Sequence, residues 1–239
     1  MSANFPNPPE FPSCTGPDGI LYDFNYGARV LLPEGKWHVI LMDDDSGNIL
    51  FSCDSEGGWV TSNKKYYVRF RIQVFHQGSA SPILDETLDM KDKPVVIFFP
   101  TGTLGDMLGW FHYAERFRQL HRCQLECVMG QEIIELLSPQ YPEITFSTKD
   151  NLQTVNPYAS WYVGLFFKGD TTHQPIDFRK VGFHRNAGYI LGVDPRECPP
   201  RLKLDAERKI AEPYVCIAAQ STNQAKYWNN GHGWAEVVA

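Results

Sequence analysis

The sequence predicts an α/β protein with a parallel sheet, preceded by a small antiparallel sheet or barrel. Two stretches carry most of that expectation. Val95-Val96-Ile97-Phe98-Phe99 is an unbroken apolar run between Pro94 and Pro100, the pattern of a strand covered on both faces. Met107, Trp110, Phe111, Ala114, Phe117 and Leu120 then recur at helical spacing, so strand, loop and helix follow one another as in an open α/β sheet. A third observation lies upstream: residues 22–90 read as short strands between Gly and Asp turns, with no helical period of useful length.

Taken in order, residues 1–17 hold five prolines and read as an extended lead-in. Ala28 to Leu32 stops at Pro33, and Glu34-Gly35-Lys36 turns into Trp37 to Met42. Asp43-Asp44-Asp45-Ser46-Gly47-Asn48 turns into Ile49 to Cys53; without EF-hand spacing or its terminal Glu, this acidic run reads as a solvated hairpin. Tyr66 to Phe75 alternates, with Tyr66, Val68, Phe70, Ile72 and Val74 on one face. A short strand near Ile83 to Leu88 closes the series. After the central unit come a strand at Gln124 to Met129, a helix at Gln131 to Leu137, and a strand at Glu143 to Ser147. An aromatic stretch follows at Tyr158 to Phe167, and then a helix at Ile176 to Leu191 ended by Gly192. Pro199 to Glu212 reads as a linker. Tyr214 to Ala219 is a further strand, and Trp234 to Val238 opens a last helix. The domain reading is lead-in 1–17, β-rich 18–92, α/β 93–198, linker 199–212, and the start of a second α/β domain at 213–239.

The net charge of −6 argues against a nucleic-acid partner held by phosphate attraction. No apolar run reaches the ~20 residues of a membrane span, and the N-terminus lacks the pattern of a signal peptide. Six scattered cysteines do not form a disulfide framework, which leads to an expectation of a reduced, cytoplasmic protein. Cys123 and Cys127, near His121, read as buried thiols on a strand, not as a metal site.

Thr101-Gly102-Thr103-Leu104-Gly105-Asp106 departs from G-x-G-x-x-G, which disfavours a dinucleotide oxidoreductase. Asp106 falls at the helix start, where it reads equally as a helix cap and as an acid facing a crevice. Thr101, Gly102, Thr103 and Gly105, with His112 one turn further on, are candidates for lining that crevice. Ser221 and Thr222 with Lys226 make a second candidate, a phosphate cradle of two hydroxyl donors and a point charge.

The Gly105-Asp106 loop combined with Ser221-Thr222 and Lys226-Tyr227-Trp228 resembles the bacterial heptosyltransferases, inverting GT-B glycosyltransferases with an ADP-heptose donor. The runs Gln174 to Arg179, Ala187 to Gly192 and Gln220 to Asn230 resemble the autotransporter O-heptosyltransferases more closely. The resemblance implies a cytoplasmic enzyme that attaches heptose to serines of an autotransporter adhesin, with the first strands forming a small β-barrel that helps hold the acceptor. It places Asp106 on the family's general base, and Ser221, Thr222 and Lys226 on positions that hold the donor's phosphates. It further implies a homo-oligomer with an iron site whose ligands fall outside this chain, so no cofactor is expected within it. By the same resemblance the chain corresponds to an N-terminal part, with a second Rossmann domain only begun and turnover by the 239 residues alone not expected. A non-catalytic acceptor-binding or assembly module is the alternative.

Overall fold

The computed structural model describes residues 7–100, 102–202, 207–219 and 226–239. The central apolar run forms strand β9 (Pro94–Phe98), in which Val95, Val96 and Ile97 are fully buried. On one side β9 pairs in parallel with β10 (Gln124–Val128), which pairs in parallel with β11 (Thr145–Ser147). On the other side it pairs with β12 (Ala159–Tyr162), and β12 pairs in parallel with β2 (Leu21–Asn25). Three antiparallel strands complete this mixed sheet of eight: β3 (Arg29–Leu32) on β2, β6 (Gly58–Thr61) on β3, and β1 (Cys14–Thr15) on β2. A separate antiparallel sheet runs in the order β5 (Asn48–Ser55), β4 (Trp37–Asp43), β7 (Phe70–His76), β8 (Leu84–Thr87).

The expected combination of a parallel α/β sheet with an antiparallel one is therefore observed, but the strands before residue 93 divide between the two sheets. Burial explains the division. In β2, Tyr22, Asp23, Phe24 and Asn25 are all buried, so the strand needs cover on both faces and joins the large sheet. In β4 buried and half-buried residues alternate, as suits a strand with one solvated face.

Helix α1 (Leu104–His121) buries Trp110, Phe111, Tyr113, Ala114 and Phe117; Phe111 and Phe117 meet the sheet at Phe146 and Trp161, while the Trp110 indole and the Tyr113 hydroxyl donate to the carbonyls of Phe183 and Pro195. Phe117 and Trp161 rings lie 5.1 Å apart, and Phe111 meets Tyr141 edge-on at 4.7 Å. Such pairs add about 0.5–1.5 kcal/mol each beyond the area they bury. Helix α2 (Gln131–Leu137) forms where its periodicity places it.

Two expectations fail for identifiable reasons. The helix expected over Ile176 to Leu191 is two short helices, α3 (Phe178–Val181) and α4 (Arg185–Ile190). Gly182 between them has φ +99°, which no helix interior holds. The strand expected at Tyr214 to Ala219 is absent. A strand needs a neighbour to pair with, and the unit Leu204–Ala239 offers none among its described residues; Val215 is 87% exposed. Helix α5 (Gly233–Val238) does form there, with Trp228 and Trp234 rings 5.2 Å apart. The chain divides into compact units Met1–Lys203 and Leu204–Ala239, and everything described below lies in the first unless stated.

His121 carries a pH dependence of stability. Its ring packs on Phe117 at 4.4 Å and Tyr67 at 5.2 Å, and burial holds its pKa down to about 4, against an ordinary value of 6.5. On acidification the unfolded ring takes its proton first, near 6.5, so stability is lost as pH falls from 6.5 towards 4 and not further below it. The melting temperature should fall across that window, and His121→Phe should flatten the fall. An unchanged slope in the variant would remove His121 as the cause.

Candidate active site

The chain runs outward from β9 to β10 and β11, then returns to β12 on the opposite side of β9. In such sheets the usual ligand position is the crevice at the carboxyl ends of the strands, where the connections leaving β9 and β12 begin. Thr103 is the N-cap of α1, and Asp106 is its third residue. Asp106 Oδ2 accepts the Thr103 backbone N–H at 2.6 Å and the Thr103 hydroxyl at 2.9 Å. Asp106 thus closes a capping box while remaining half-buried at the crevice. Its Oδ1 has no hydrogen-bond partner among the described residues. The cap and crevice-facing readings of Asp106 are compatible, since one oxygen serves the cap.

Gly102, Thr103 and Gly105 are exposed in the same loop, and Thr101 lies outside the described residues. His112 is not brought to them. Six residues beyond Asp106 is about 240° around the helix, and His112 is buried there against Tyr113, with ring centroids 3.7 Å apart. Burial first, and then the Arg116 charge, hold its pKa down. Gly109 on α1 sits so close to the His184 ring that a Cβ there would come within 2.3 Å of it. Ser221 and Thr222 lie outside the described residues, and Lys226 is exposed in the second unit.

The sequence reading missed a cluster at the carboxyl ends of β2, β12 and β9. Tyr26 and Tyr162 stack with centroids 4.3 Å apart and planes within 4°, beside Phe98. Burial pushes both phenols well up from their ordinary pKa. Beneath them Asp23, fully buried, takes Arg29 bidentately, Nε to Oδ1 at 2.7 Å and Nη2 to Oδ2 at 2.6 Å. Asn25 Nδ2 donates to Asp23 Oδ2 at 2.7 Å and to the Pro157 carbonyl at 2.8 Å, which ties β2 to the segment entering β12. A pocket of about 410 Å³ opens over this network, lined in part by Tyr26, Tyr162, Trp59, Arg29, Lys65 and His173. His173 is oriented by Asp170, with Nδ1 and Oδ2 2.9 Å apart. The signal was the alternation of Asp23 and Asn25 between apolar residues, which places two amide or acid groups on one face.

Glu126 is a second buried carboxylate. Burial raises its pKa, but the Ser147 hydroxyl and the backbone N–H groups of Thr154 (2.7 Å) and Gln153 (2.9 Å) outweigh that and leave it lowered. It anchors the segment after β11 and is far too enclosed to meet a substrate, at 1% exposure.

Among the described residues no three His, Cys, Asp or Glu side chains converge as a metal site requires. Cys123 and Cys127 are buried and their thiols are pushed up in pKa by burial, Cys123 to about 11, which disfavours the thiolate a metal needs. The described residues therefore do not fit an iron centre.

Residues 16–78 match the family described as the N-terminal domain of glycosyltransferase TibC. The chain is 70% identical over 235 residues to autotransporter heptosyltransferase TibC of Escherichia coli O78:H11, covering 98% of this chain and 58% of that protein. It is 63% identical over 234 residues to the autotransporter heptosyltransferase Aah of Escherichia coli, covering 98% and 60%. The inactive autotransporter heptosyltransferase BimC of Burkholderia thailandensis is 43% identical over 236 residues, covering 98% and 55%. Among solved structures, the iron-containing dodecameric glycosyltransferase TibC from enterotoxigenic E. coli H10407 superposes with a TM-score of 0.95 at 70% identity, covering 98% of this chain and 61% of that one. Dodecameric TibC in complex with ADP-D-beta-D-heptose gives 0.94 at 69% identity, with the same coverage. The chain thus spans a little over half the length of the relatives it matches.

Proposed function

We propose that this chain, whose sequence and fold are those of the N-terminal part of the autotransporter heptosyltransferases, supplies the acceptor side and the base of a transfer of heptose from ADP-heptose to an autotransporter. The observation that carries the proposal is 70% identity across 98% of the chain to such an enzyme, joined to a near-superposable relative solved with the ADP-linked sugar.

The residues suit the chemistry. A serine hydroxyl is a poor nucleophile, so Asp106 takes its proton as the oxygen attacks the anomeric carbon. The bond from that carbon to the diphosphate breaks on the opposite side, ADP leaves, and the configuration inverts. Negative charge grows on the departing diphosphate, where Lys226 and the hydroxyls of Ser221 and Thr222 stabilise it. The strands before residue 93 contribute to holding the acceptor. We place the reaction in the cytoplasm; the six free cysteines support a reducing compartment. Oligomerisation of the enzyme is proposed from the dodecameric relatives.

The named inactivity of a 43% identical relative favours one second reading, a non-catalytic member that only binds acceptor or partner subunits. Incubating the enzyme with ADP-heptose and an autotransporter passenger, and following ADP release and the passenger's intact mass separately, tests both. Matched ADP release and heptose gain are expected; a folded protein that binds the passenger and yields neither would favour the second reading. Lys226→Ala should weaken donor binding and slow transfer, and Lys226→Arg should restore only part, since a planar fork differs from a compact ammonium. Unchanged donor affinity and rate in the alanine variant would remove Lys226 from the site.

A further inference from the structure

We propose that an extended segment of acceptor polypeptide docks along β6, with one apolar side chain in the Tyr26–Tyr162–Trp59 pocket and one acidic side chain at Lys64 and Lys65. The inference rests on the acceptor reading above and names where that acceptor lies. Strand β6 ends the order of the large sheet and pairs only with β3 among the described residues, so its outer edge carries unpaired backbone groups. Trp59 and Thr61, on one face of β6, both line the pocket, while Val60 between them is buried on the other face. Trp59 is 48% exposed, and the Arg29 guanidinium lies 5.4 Å from its ring centroid. A second pocket, of about 440 Å³, lies beside Leu50, Phe51 and Asn63 and shares Thr61 and Lys65 with the first. The two meet at the end of β6, beside the exposed side chains of Ile49 and Phe51.

Backbone and charge together select the occupant. A free sheet edge is complemented by another main chain, whose N–H and C=O groups extend the ladder while alternate side chains fill pockets. No Asp or Glu lines either pocket, although acids outnumber bases 28 to 22 in the chain. Arg29 is neutralised by Asp23, which leaves Lys64 and Lys65 as the cations of the rim. Lys65 Nζ gives one hydrogen bond to the Ser62 carbonyl at 2.8 Å, so two of its three donors remain. Two ammonium groups suit a single carboxylate carried on an extended chain.

The test is fluorescence anisotropy with a labelled ten-residue peptide of alternating threonine and serine bearing one phenylalanine and one glutamate. Binding is expected to the wild-type chain, at least tenfold weaker for Trp59→Ala and for Lys64→Glu with unchanged circular dichroism. It should be lost when prolines replace the serines and remove their N–H donors. Equal binding of the proline peptide would overturn the edge-docking inference, as would a folded wild-type chain that binds none. Self-association abolished by Trp59→Ala without peptide binding would assign the face to a second copy and overturn it too. Peptide binding by a protein that transfers no heptose would sustain this inference while the transferase reading failed. Transfer with an unchanged acceptor KM in Trp59→Ala would do the reverse.

Discussion

Asp106→Asn should lower heptose transfer about a hundredfold or more, with ADP-heptose binding and helix content retained. The geometry makes this substitution informative. Asn keeps an oxygen that can accept the Thr103 N–H and hydroxyl bonds now made by Asp106 Oδ2, so the capping box survives. What Asn cannot do is take a proton from the attacking hydroxyl. Asp106→Ala would instead remove the cap as well, and such losses cost about 0.5–2 kcal/mol of stability. Near-normal transfer by folded Asp106→Asn would reduce the residue to its structural role.

Asp23→Ala should be the most destabilising of the substitutions considered, by about 3–5 kcal/mol, because it strands a buried guanidinium. Asp23 is fully enclosed, and Arg29, with a side chain 7% exposed, takes both of its oxygens. Asn25 and the link to Pro157 would loosen with it, so β2 would lose a tie to the strand beside it. Removing both charges in Asp23→Ala/Arg29→Leu should cost less than Asp23→Ala alone. Equal melting temperatures for Asp23→Ala and wild type would contradict the network's role.

The legible parts of the fold were those whose local pattern and tertiary environment agree. The unbroken run before Pro100 and the period of α1 each had one interpretation, and α2 falls at the residues its pattern marked. β2 was harder, because Asp23 and Asn25 suggest a solvated face while Arg29 on the next strand and Pro157, distant in sequence, bury that face. The break at Gly182 depends on a positive φ that spacing alone does not reveal. Val215 and Ile217 have strand-like composition, yet pairing needs a neighbouring strand that composition cannot supply. The place of Asp106 in the first turn of α1 was legible from the strand–loop–helix order, but His112 was judged by sequence distance where the helical turn decides. The Tyr26–Tyr162 stack joins β2 to β12 across the sheet and left no local signal.

The central claim is that this chain does for a heptosyltransferase what the matching part of its relatives does. A chimera tests it most directly: this chain replaces the matching 58% of the 70% identical E. coli protein, and transfer of labelled heptose from ADP-heptose to an autotransporter passenger is measured. The account predicts transfer by the chimera and its loss on Asp106→Asn. A folded chimera that binds ADP-heptose and passenger but transfers no heptose would contradict it.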